Sequence, residues 1–242
     1  MTDSTKERQK RTHLLLGDKL DRLRNVHVLV LGIGGVGAYA AEQLARAGIG
    51  KLTLVDGDTV EPSNCNRQLP ALSSTIGLPK AEVMARRLAE INPELEIRVL
   101  TEFIEGEKIP QLLETEFDYV VDAIDSLTPK VDFLLECRRR KTPLVSSMGA
   151  GGKMDPSLIA VADISKTHGC ALARAVRTRL RNHGVTRGIK VVFSPEAVPK
   201  SAVEPSAGPD GKARSTVGTV SYMPAVFGCV CASAVIRGLL AD

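Results

Sequence analysis

Apolar runs alternate with segments of helical period along most of this chain. The runs rich in Val, Leu and Ile are predicted to be strands, and the segments between them repeat apolar residues as amphipathic helices do. The predicted strands are "VHVLVLG", "KLTLVD", "EIRVLTEF", "DYVVDAID" and "PLVSSMGA". The predicted helices are "AYAAEQLARA", "AEVMARRLAEI" and "KVDFLLECRRR". This order predicts an α/β fold: a Rossmann-like, doubly wound, mainly parallel sheet with helices on both faces.

The pattern changes after about Gly152. Three short apolar runs, "SLIAVADI", "IKVVFS" and "GTVSYM", lack crossover helices of equal length and predict antiparallel strands that extend the sheet. A segment rich in Pro and small residues, from about 195 to 216, predicts a mobile loop, and "AVFGCVCASAVIRGLL" predicts a closing helix. We expect one continuous domain: an arm with a short helix (1–25, with Gly17 as a breaker), a nucleotide-binding half (26–152) and an extension (153–242).

Composition narrows the class of protein. Aromatic residues make up only 3% of the chain, so its core must consist mainly of Val, Leu, Ile and Ala, which suits a sheet buried on both faces. The five cysteines include no C-x-x-C pair, which argues against a structural zinc site. The N-terminus is charged where a signal peptide would be apolar, and "MPAVFGCVCASAVI" is too short to span a bilayer. We therefore expect a cytoplasmic protein without a membrane partner.

Positive charge is concentrated in one segment, although the net charge is only +4. Residues 166–190 hold seven Lys or Arg and no acidic residue. Either a solvated basic surface or an anionic macromolecular partner would explain such a run. In a helix, Arg174, Arg177 and Arg181 would share one face. His168 and Cys170 lie in the same segment, and we expect neither to be catalytic.

The stretch "HVLVLGIGGVGAYAAEQLARAG" predicts a strand, a glycine turn and a helix. Such a turn places backbone N–H groups and a helix N-terminus where an anion can bind. Asp56 follows the next strand, 19 residues after Gly37, where it can bind a ribose. These features fit a dinucleotide used for redox chemistry and an ATP used for activation equally well.

Polar residues further along favour ATP. The second strand leads into a loop that holds Asp58, Asn64, Asn66, Arg67 and Gln68. Pro79 suits the first turn of a helix and would place Lys80 at its positive end, where a bound anion would offset the unfavourable charge. Asp122 and Asp125 end the fourth strand, and carboxylates beside phosphates imply Mg²⁺. No GK[ST] ends the glycine turn, so we do not expect ATP to be held as in a Walker-A kinase. The arrangement suits attack of a carboxylate on the α-phosphate of ATP, with pyrophosphate as the leaving group.

These motifs resemble a known superfamily. "GIGGVG", "VDGDTVEPSNCNRQ", "GLPKAEVMARRLAEINP" and "DAIDS" are similar to the adenylating fold of ubiquitin-activating enzymes, ThiF and MoeB. Within it, "GAGGKMDPSLIAVADISKTHGCALARAVRTRLR" and "GTVSYMPAVFG" most resemble the tRNA threonylcarbamoyladenosine dehydratases. The resemblance spans about residues 11–240. It implies ATP-dependent activation of the carboxylate of a modified adenosine in tRNA, which then closes into a ring and releases AMP.

The resemblance also implies roles for individual residues. By this resemblance, Asn64, Arg67 and Lys80 contact the phosphates. Asp56 binds the ribose, and Asp125 binds Mg²⁺ and stabilises the transition state. Arg11 matches an arginine that crosses a homodimer into the partner's site. The nucleotide is held by Gly32, Gly34, Gly35 and Gly37, with Asp58 and Gln68 as further ATP-binding candidates. The candidates for tRNA phosphates are Arg174, Arg177, Arg179 and Arg181.

Rival functions remain open at this point. The chain could be an adenylyltransferase for a ubiquitin-like sulfur carrier, although it lacks C-x-x-C pairs and room for a catalytic-cysteine domain. A cysteine desulfurase or sulfur-acceptor system is a further candidate partner. A non-catalytic nucleotide-binding module and an NAD-dependent dehydrogenase also stay among the candidates.

Overall fold

The computed structural model describes residues 3–207 and 213–241 of the chain. The helices are α1 (Asp3–Leu16), α2 (Lys19–Arg24), α3 (Gly37–Ala47), α4 (Lys80–Ile91), α5 (Lys108–Leu112), α6 (Leu127–Arg140), α7 (Ala171–Asn182) and α8 (Tyr222–Leu240). The strands are β1 (His27–Leu31), β2 (Lys51–Val55), β3 (Glu96–Leu100), β4 (Tyr119–Asp122), β5 (Leu144–Ser147), β6 (Ala160–Asp163), β7 (Lys190–Phe193), β8 (Val203–Ala207) and β9 (Ala213–Val217). Five short 3-10 turns complete these ranges.

Seven strands form one sheet in the order β3-β2-β1-β4-β5-β7-β6. Every neighbouring pair is parallel except β6 with β7. The chain runs outward from β1 to β3 and then returns to place β4 on the other side of β1. This reversal makes the carboxyl ends of β1 and β4 a topological switch point, where open α/β sheets bind their ligands. The predicted Rossmann-like fold is confirmed.

Both faces of the sheet are buried. In β1, Val28 and Val30 belong to the hydrophobic cluster that includes α3 and α8. Leu29 and Leu31 point to the opposite face and pack with α5 and α6. The near-continuous apolar run of this strand follows from that two-sided burial.

The C-terminal third differs from the expectation in three places. Only β6 joins the sheet in the antiparallel direction, because β7 pairs in parallel with β5. The segment "GTVSYM" is not a strand, since β9 ends at Val217 and α8 begins at Tyr222. The segment predicted as a loop from 195 to 216 contains a short turn at Lys200–Ala202 and the paired strands β8 and β9. Residues 208–212 of that segment lie outside the described residues.

Helix α8 is longer than the apolar run in the sequence suggested. It spans 19 residues, and within the described ranges it is the one helix long and apolar enough to cross a membrane. A core helix passes the same test. α8 packs against α3, β4 and β5, and its Phe227 and Cys231 are fully buried. These contacts are those of a core helix.

The N-terminal arm consists of α1 and α2, with Gly17 between them in the left-handed region (φ 56°). Arg8 donates to the backbone oxygen of Ile91, and Gln9 donates to that of Arg46. These acceptors lie at the C-terminal ends of α4 and α3. The arm therefore packs at the opposite end of those two helices from the switch point.

Candidate active site

The glycine turn between β1 and α3 is packed against the end of β4. Gly32 has a φ of 92°, and a Cβ there would lie 2.8 Å from the backbone oxygen of Ala123. A Cβ on Gly37 would lie 1.7 Å from the oxygen of Gly32. Any side chain at either position would therefore break the turn. Gly34 is less constrained, because a Cβ there would meet only the side chain of Gln68, at an ordinary contact distance of 3.8 Å.

Asp56 fastens the glycine turn to the end of β2. Its Oδ2 accepts the N–H of Ile33 at 2.6 Å, and its Oδ1 accepts the N–H of Asp58 at 2.8 Å. Burial raises the pKa of this carboxyl above its ordinary value, and the two N–H bonds oppose that shift. The structure thus places Asp56 beside the turn, with each of its carboxylate oxygens accepting a backbone N–H group.

Lys80 opens α4, as predicted, and its cation is buried next to Asp58. Its side chain is only 6% exposed, and its Nζ lies 2.9 Å from Oδ2 of Asp58, which is 53% exposed. The backbones also meet, because the N–H of Lys80 donates to the oxygen of Asp58. A poorly hydrated cation covered by one exposed carboxylate can exchange that carboxylate for a phosphate.

The loop between β2 and α4 holds three of the predicted residues in different ways. Asn64 is buried and caps its own turn, accepting the N–H of Glu61 at 3.1 Å. Arg67 is half-buried and donates through Nη1 to the backbone oxygen of Ser63 at 3.0 Å and to Asn66 at 2.8 Å. Within the described ranges, its Nε and Nη2 have no protein acceptor. They remain free for an anion.

Gln68 carries an unsatisfied group at this site. Its Oε1 is buried, and it has no hydrogen-bond partner among the described residues. Unpaired buried acceptors are uncommon, because each costs about 1–3 kcal/mol of desolvation. The amide that carries this orphaned oxygen lies against the glycine turn, because its Nε2 would be 3.8 Å from a Cβ on Gly34.

Asp122, the last residue of β4, and Asp125, three residues later, have different environments. Asp122 is fully buried and lies 2.8 Å from Nζ of the fully buried Lys130. Its Oδ2 also accepts the hydroxyl of Ser146 at 2.6 Å, and its Oδ1 accepts the N–H of Ile124. The expectation that Asp122 lies on the ligand rim is therefore wrong, because this carboxylate is enclosed in a structural ion pair. Sequence reasoning missed Lys130, although a lysine on the apolar face of α6 is a detectable signal.

Asp125 has the opposite environment. It is exposed at the switch point, and within the described chain it accepts only the hydroxyl of Ser126, at 3.2 Å. Ser126 stands at the N-cap of α6 but makes no side-chain cap bond. Of Asp122 and Asp125, only Asp125 has an exposed carboxylate that a ligand could reach.

The buried ion pair yields a stability prediction. Lys130→Met leaves Asp122 charged and unpaired, so the free energy of unfolding should fall by about 3–5 kcal/mol. Urea denaturation followed by circular dichroism measures this loss. The double variant Lys130→Met/Asp122→Asn should recover part of it, while the exposed control Lys166→Met should leave the urea midpoint unchanged. A single variant as stable as the control would contradict this assignment.

A second buried lysine was also missed by sequence reasoning. Lys153 donates to the backbone oxygens of Ser194 and Glu196, at 3.0 and 2.7 Å, and burial lowers its pKa. The carboxylate of Glu196 accepts the N–H groups of Met154 and Asp155. This cluster joins the loop after β5 to the segment after β7. "GAGGKM" contains the lysine, but nothing in its spacing reveals the distant partners.

The predicted tRNA-contacting arginines all lie on α7. Arg174, Arg179 and Arg181 are exposed, and Arg179 donates to the hydroxyl of Thr128 at 2.7 Å. Arg177 is half-buried and donates to both oxygens of Thr167. It therefore helps to hold the start of α7 in place.

Cys170 and His168 have structural environments. Cys170 is buried at the N-cap of α7, where its sulfur accepts the N–H of Ala173 at 3.5 Å. The ring of His168 packs edge-on against Phe193, with centroids 5.7 Å apart. Arg11 is exposed on α1, at the far end of α3 and α4, so it is not part of its own chain's site.

The model of the ThiF family matches residues 7–242 of this sequence. The chain belongs to the ThiF family. A relative from Bacillus subtilis (strain 168), described as a tRNA threonylcarbamoyladenosine dehydratase, is 43% identical over 239 residues, covering 96% of this chain and 94% of its own length. An Escherichia coli (strain K12) protein of the same description is 40% identical over 260 residues, covering 100% and 96%.

Solved structures that resemble this ThiF family member belong to proteins of the same description. The crystal structure of the E. coli tRNA N6-threonylcarbamoyladenosine dehydratase in complex with ATP superposes with a TM-score of 0.90. The two sequences are 39% identical, and the match covers 99% of this chain and 96% of that one. The same E. coli enzyme in complex with AMP gives a TM-score of 0.89.

Proposed function

We propose that this ThiF family member dehydrates N6-threonylcarbamoyladenosine in tRNA, using ATP and passing through a carboxylate adenylate. One observation carries the proposal: the glycine turn, Asp56 and the buried Lys80 converge at the switch point, beside the exposed Asp125. The ATP complex of the E. coli relative supports ATP as the cosubstrate, and the relatives' names support the tRNA substrate.

The reaction has two steps. A carboxylate oxygen of the substrate attacks the α-phosphorus of ATP, and the bond to the β-phosphate breaks, releasing pyrophosphate. The ureido oxygen of the same side chain then attacks the acyl carbon, a nitrogen-bound proton passes to solvent, and AMP leaves with the former carboxylate oxygen. The attacking groups belong to the substrate, so the protein needs no nucleophile. Its contribution is positioning and charge neutralisation.

Each residue of the site has a role in this scheme. The N–H groups of the glycine turn face the phosphates, and Asp56 holds the ribose. Lys80 exchanges Asp58 for phosphate oxygens, while the free N–H groups of Arg67 bind the same anion. Arg67 and Lys80 stabilise the charge that develops on the leaving pyrophosphate. The remaining ATP-binding candidates are Gly32, Gly34, Gly35, Gly37, Asn64 and Gln68.

The proposal includes Mg²⁺, which Asp125 would hold. The donor chemistry fits, because Mg²⁺ is bound through one or two carboxylates, with substrate phosphates and water completing its coordination. No group of three or more His, Cys, Asp or Glu residues in the described part of the chain could bind a metal by itself. When bound beside the triphosphate, Mg²⁺ neutralises phosphate charge.

We further propose a cytoplasmic homodimer in which Arg11 of each chain serves the partner's site. Arg11 is exposed, and the neighbouring Leu14 and Leu15 are 79% and 84% exposed. An apolar pair with this exposure on α1 is suited to a subunit contact. The distance of α1 from its own switch point is consistent with service to another chain. A cysteine desulfurase or sulfur-acceptor system as an additional partner has no support in the described contacts.

Nucleoside mass spectrometry tests the proposed reaction. Purified protein, ATP and tRNA that carries threonylcarbamoyladenosine should yield the nucleoside that has lost one water, with AMP and pyrophosphate in equal amounts. A parallel reaction with a small Gly-Gly-tailed carrier protein tests the alternative adenylyltransferase. An unchanged nucleoside, combined with carrier-dependent exchange of pyrophosphate into ATP, would overturn the proposal.

A further inference from the structure

A cleft of about 610 Å³ lies between the first turns of α6 and α7. This volume falls within the range of small-ligand sites, roughly 300–1,000 Å³. The side chains that matter for its chemistry are Leu127, Ala171, Arg174, Ala175, Arg177 and Arg179. None of them belongs to the glycine turn or to the loop that holds Lys80, so the cleft is separate from the proposed ATP site.

The charge of the cleft selects an anion. Three arginines line it, and no acidic residue does so among the described residues. Neither α6 nor α7 has an acidic residue in its first turn, so the positive ends of both helix dipoles add to this field. A free anion is therefore drawn to the cleft from both sides.

The apolar part of the lining implies more than a bare phosphate. Leu127, Ala171 and Ala175 give the lining an apolar part beside the arginines, and Thr178 adds one hydroxyl. Small aliphatic side chains beside cations suit a flat, apolar body that carries a negatively charged group. A nucleotide has this combination, with an unpaired base for the apolar surface and a phosphate for the arginines.

Two contacts hold the walls of the cleft in place. Arg177 donates to Thr167 and fixes the turn that leads into α7. Arg179 donates to Thr128 at 2.7 Å and ties α7 to the first turn of α6. The cleft is thus formed before a ligand arrives, which limits the conformational entropy lost on binding.

The position of the cleft connects it to the reaction. Leu127 is the first residue of α6 and comes two residues after Asp125. On the other wall, Cys170 precedes α7 and lies near Gly149, just after β5, where a Cβ would be 3.6 Å from its sulfur. The cleft therefore adjoins the carboxyl edge of β4 and β5. A nucleotide seated there lies beside the part of the switch point that holds Asp125.

We propose that the α6–α7 cleft binds the modified nucleotide of the RNA, extruded from its loop, with its phosphates on Arg174 and Arg179. This inference rests on the proposed function. It assigns the purine to the surface of Leu127, Ala171 and Ala175, and it directs the threonylcarbamoyl carboxylate toward Asp125. Enzymes that react on one base commonly take it out of the stack in this way.

The first test separates charge from shape. Binding of an anticodon stem-loop that carries threonylcarbamoyladenosine is measured by fluorescence anisotropy over a range of salt concentrations. Arg174→Gln should weaken binding about tenfold and lower the slope of log affinity against log salt by about 0.7. Ala175→Phe fills the cleft without changing charge, so it should weaken binding about tenfold with an unchanged slope.

Matched controls lie outside the cleft. Arg187→Gln removes the same charge from the exposed segment after α7 and should weaken binding by no more than about threefold. Asn182→Phe adds the same bulk at the far end of α7 and should bind as the wild type does. If Ala175→Phe lowers the melting temperature, Ala171→Phe at the exposed first position of α7 replaces it. If Ala175→Phe and Ala171→Phe both bind the stem-loop with wild-type affinity, the proposal is overturned.

Three further outcomes are distinguishable. If the wild type dehydrates the modified tRNA but all cleft variants retain its KM, this inference fails and the proposed function stands. If the wild type binds the stem-loop but does not dehydrate it, the proposed function fails. If Arg174→Gln relieves inhibition by added pyrophosphate while leaving RNA affinity intact, the cleft takes the product and the nucleotide assignment is overturned.

Discussion

Asp125→Asn should reduce the rate of tRNA dehydration by about a thousandfold. The substitution removes the exposed carboxylate at the carboxyl end of β4 while leaving the size of the side chain and its bond from Ser126 nearly intact. Under the proposed function Asp125 would hold Mg²⁺ beside the phosphates, so without its charge the developing negative charge would be poorly neutralised. Single-turnover formation of AMP, with saturating ATP and modified tRNA, measures the chemical step directly.

A matched control lies on the helix that follows Asp125. Asp132 is an exposed aspartate of α6, two positions after the buried Lys130. Asp132→Asn makes the same change in charge outside the site, so it should turn over at the wild-type rate. If Asp125→Asn were as active as Asp132→Asn over a range of Mg²⁺ concentrations, Asp125 would have no role in metal binding or in the transition state.

Lys80→Met should weaken ATP binding about a hundredfold and slow AMP formation to a similar degree. The Lys80 cation is 6% exposed, so little water screens its attraction for a phosphate. Its removal also leaves Asp58 without its partner at 2.9 Å, and that carboxylate then repels the triphosphate. Isothermal titration calorimetry with ATP measures the loss of affinity. Titration with adenosine, which carries no phosphate, shows how much of that loss depends on the phosphates.

The double variant isolates the contribution of Asp58. Lys80→Met/Asp58→Asn should recover part of the lost ATP affinity, since it removes the repulsive carboxylate. Adenosine should bind all of these variants with similar affinity, because Asp56 and the glycine turn are unchanged. The exposed lysine variant Lys166→Met should bind ATP as the wild type does. An unaltered ATP affinity in Lys80→Met would exclude Lys80 from the phosphate site.

The sheet and its switch point could be predicted because their signals are local. The apolar run of β1, the glycines after it and Asp56 lie close together in the chain, and each reflects a steric or hydrogen-bonding requirement of the turn. Strand β7 was harder to place. Its short apolar run reveals burial but not direction, and its parallel pairing with β5 depends on the path of α7 between them.

The partners of charged side chains could not be predicted, because they depend on packing between distant elements. Asp122 and Asp125 are neighbours in the chain, yet only the fold shows that Lys130 encloses the first and leaves the second exposed. The pairing of Asp58 with Lys80 joins residues 22 positions apart. Likewise, the cleft at α7 exists only because α6 packs against that helix.

The most direct test of the central claim follows an oxygen atom. Modified tRNA labelled with ¹⁸O in the threonylcarbamoyl carboxylate is incubated with the protein and ATP, and the AMP is analysed by mass spectrometry. Attack of that carboxylate on the α-phosphorus predicts one ¹⁸O in each AMP released, with none in pyrophosphate. Unlabelled AMP, or label in a phosphate derived from the γ-position, would contradict an adenylate intermediate.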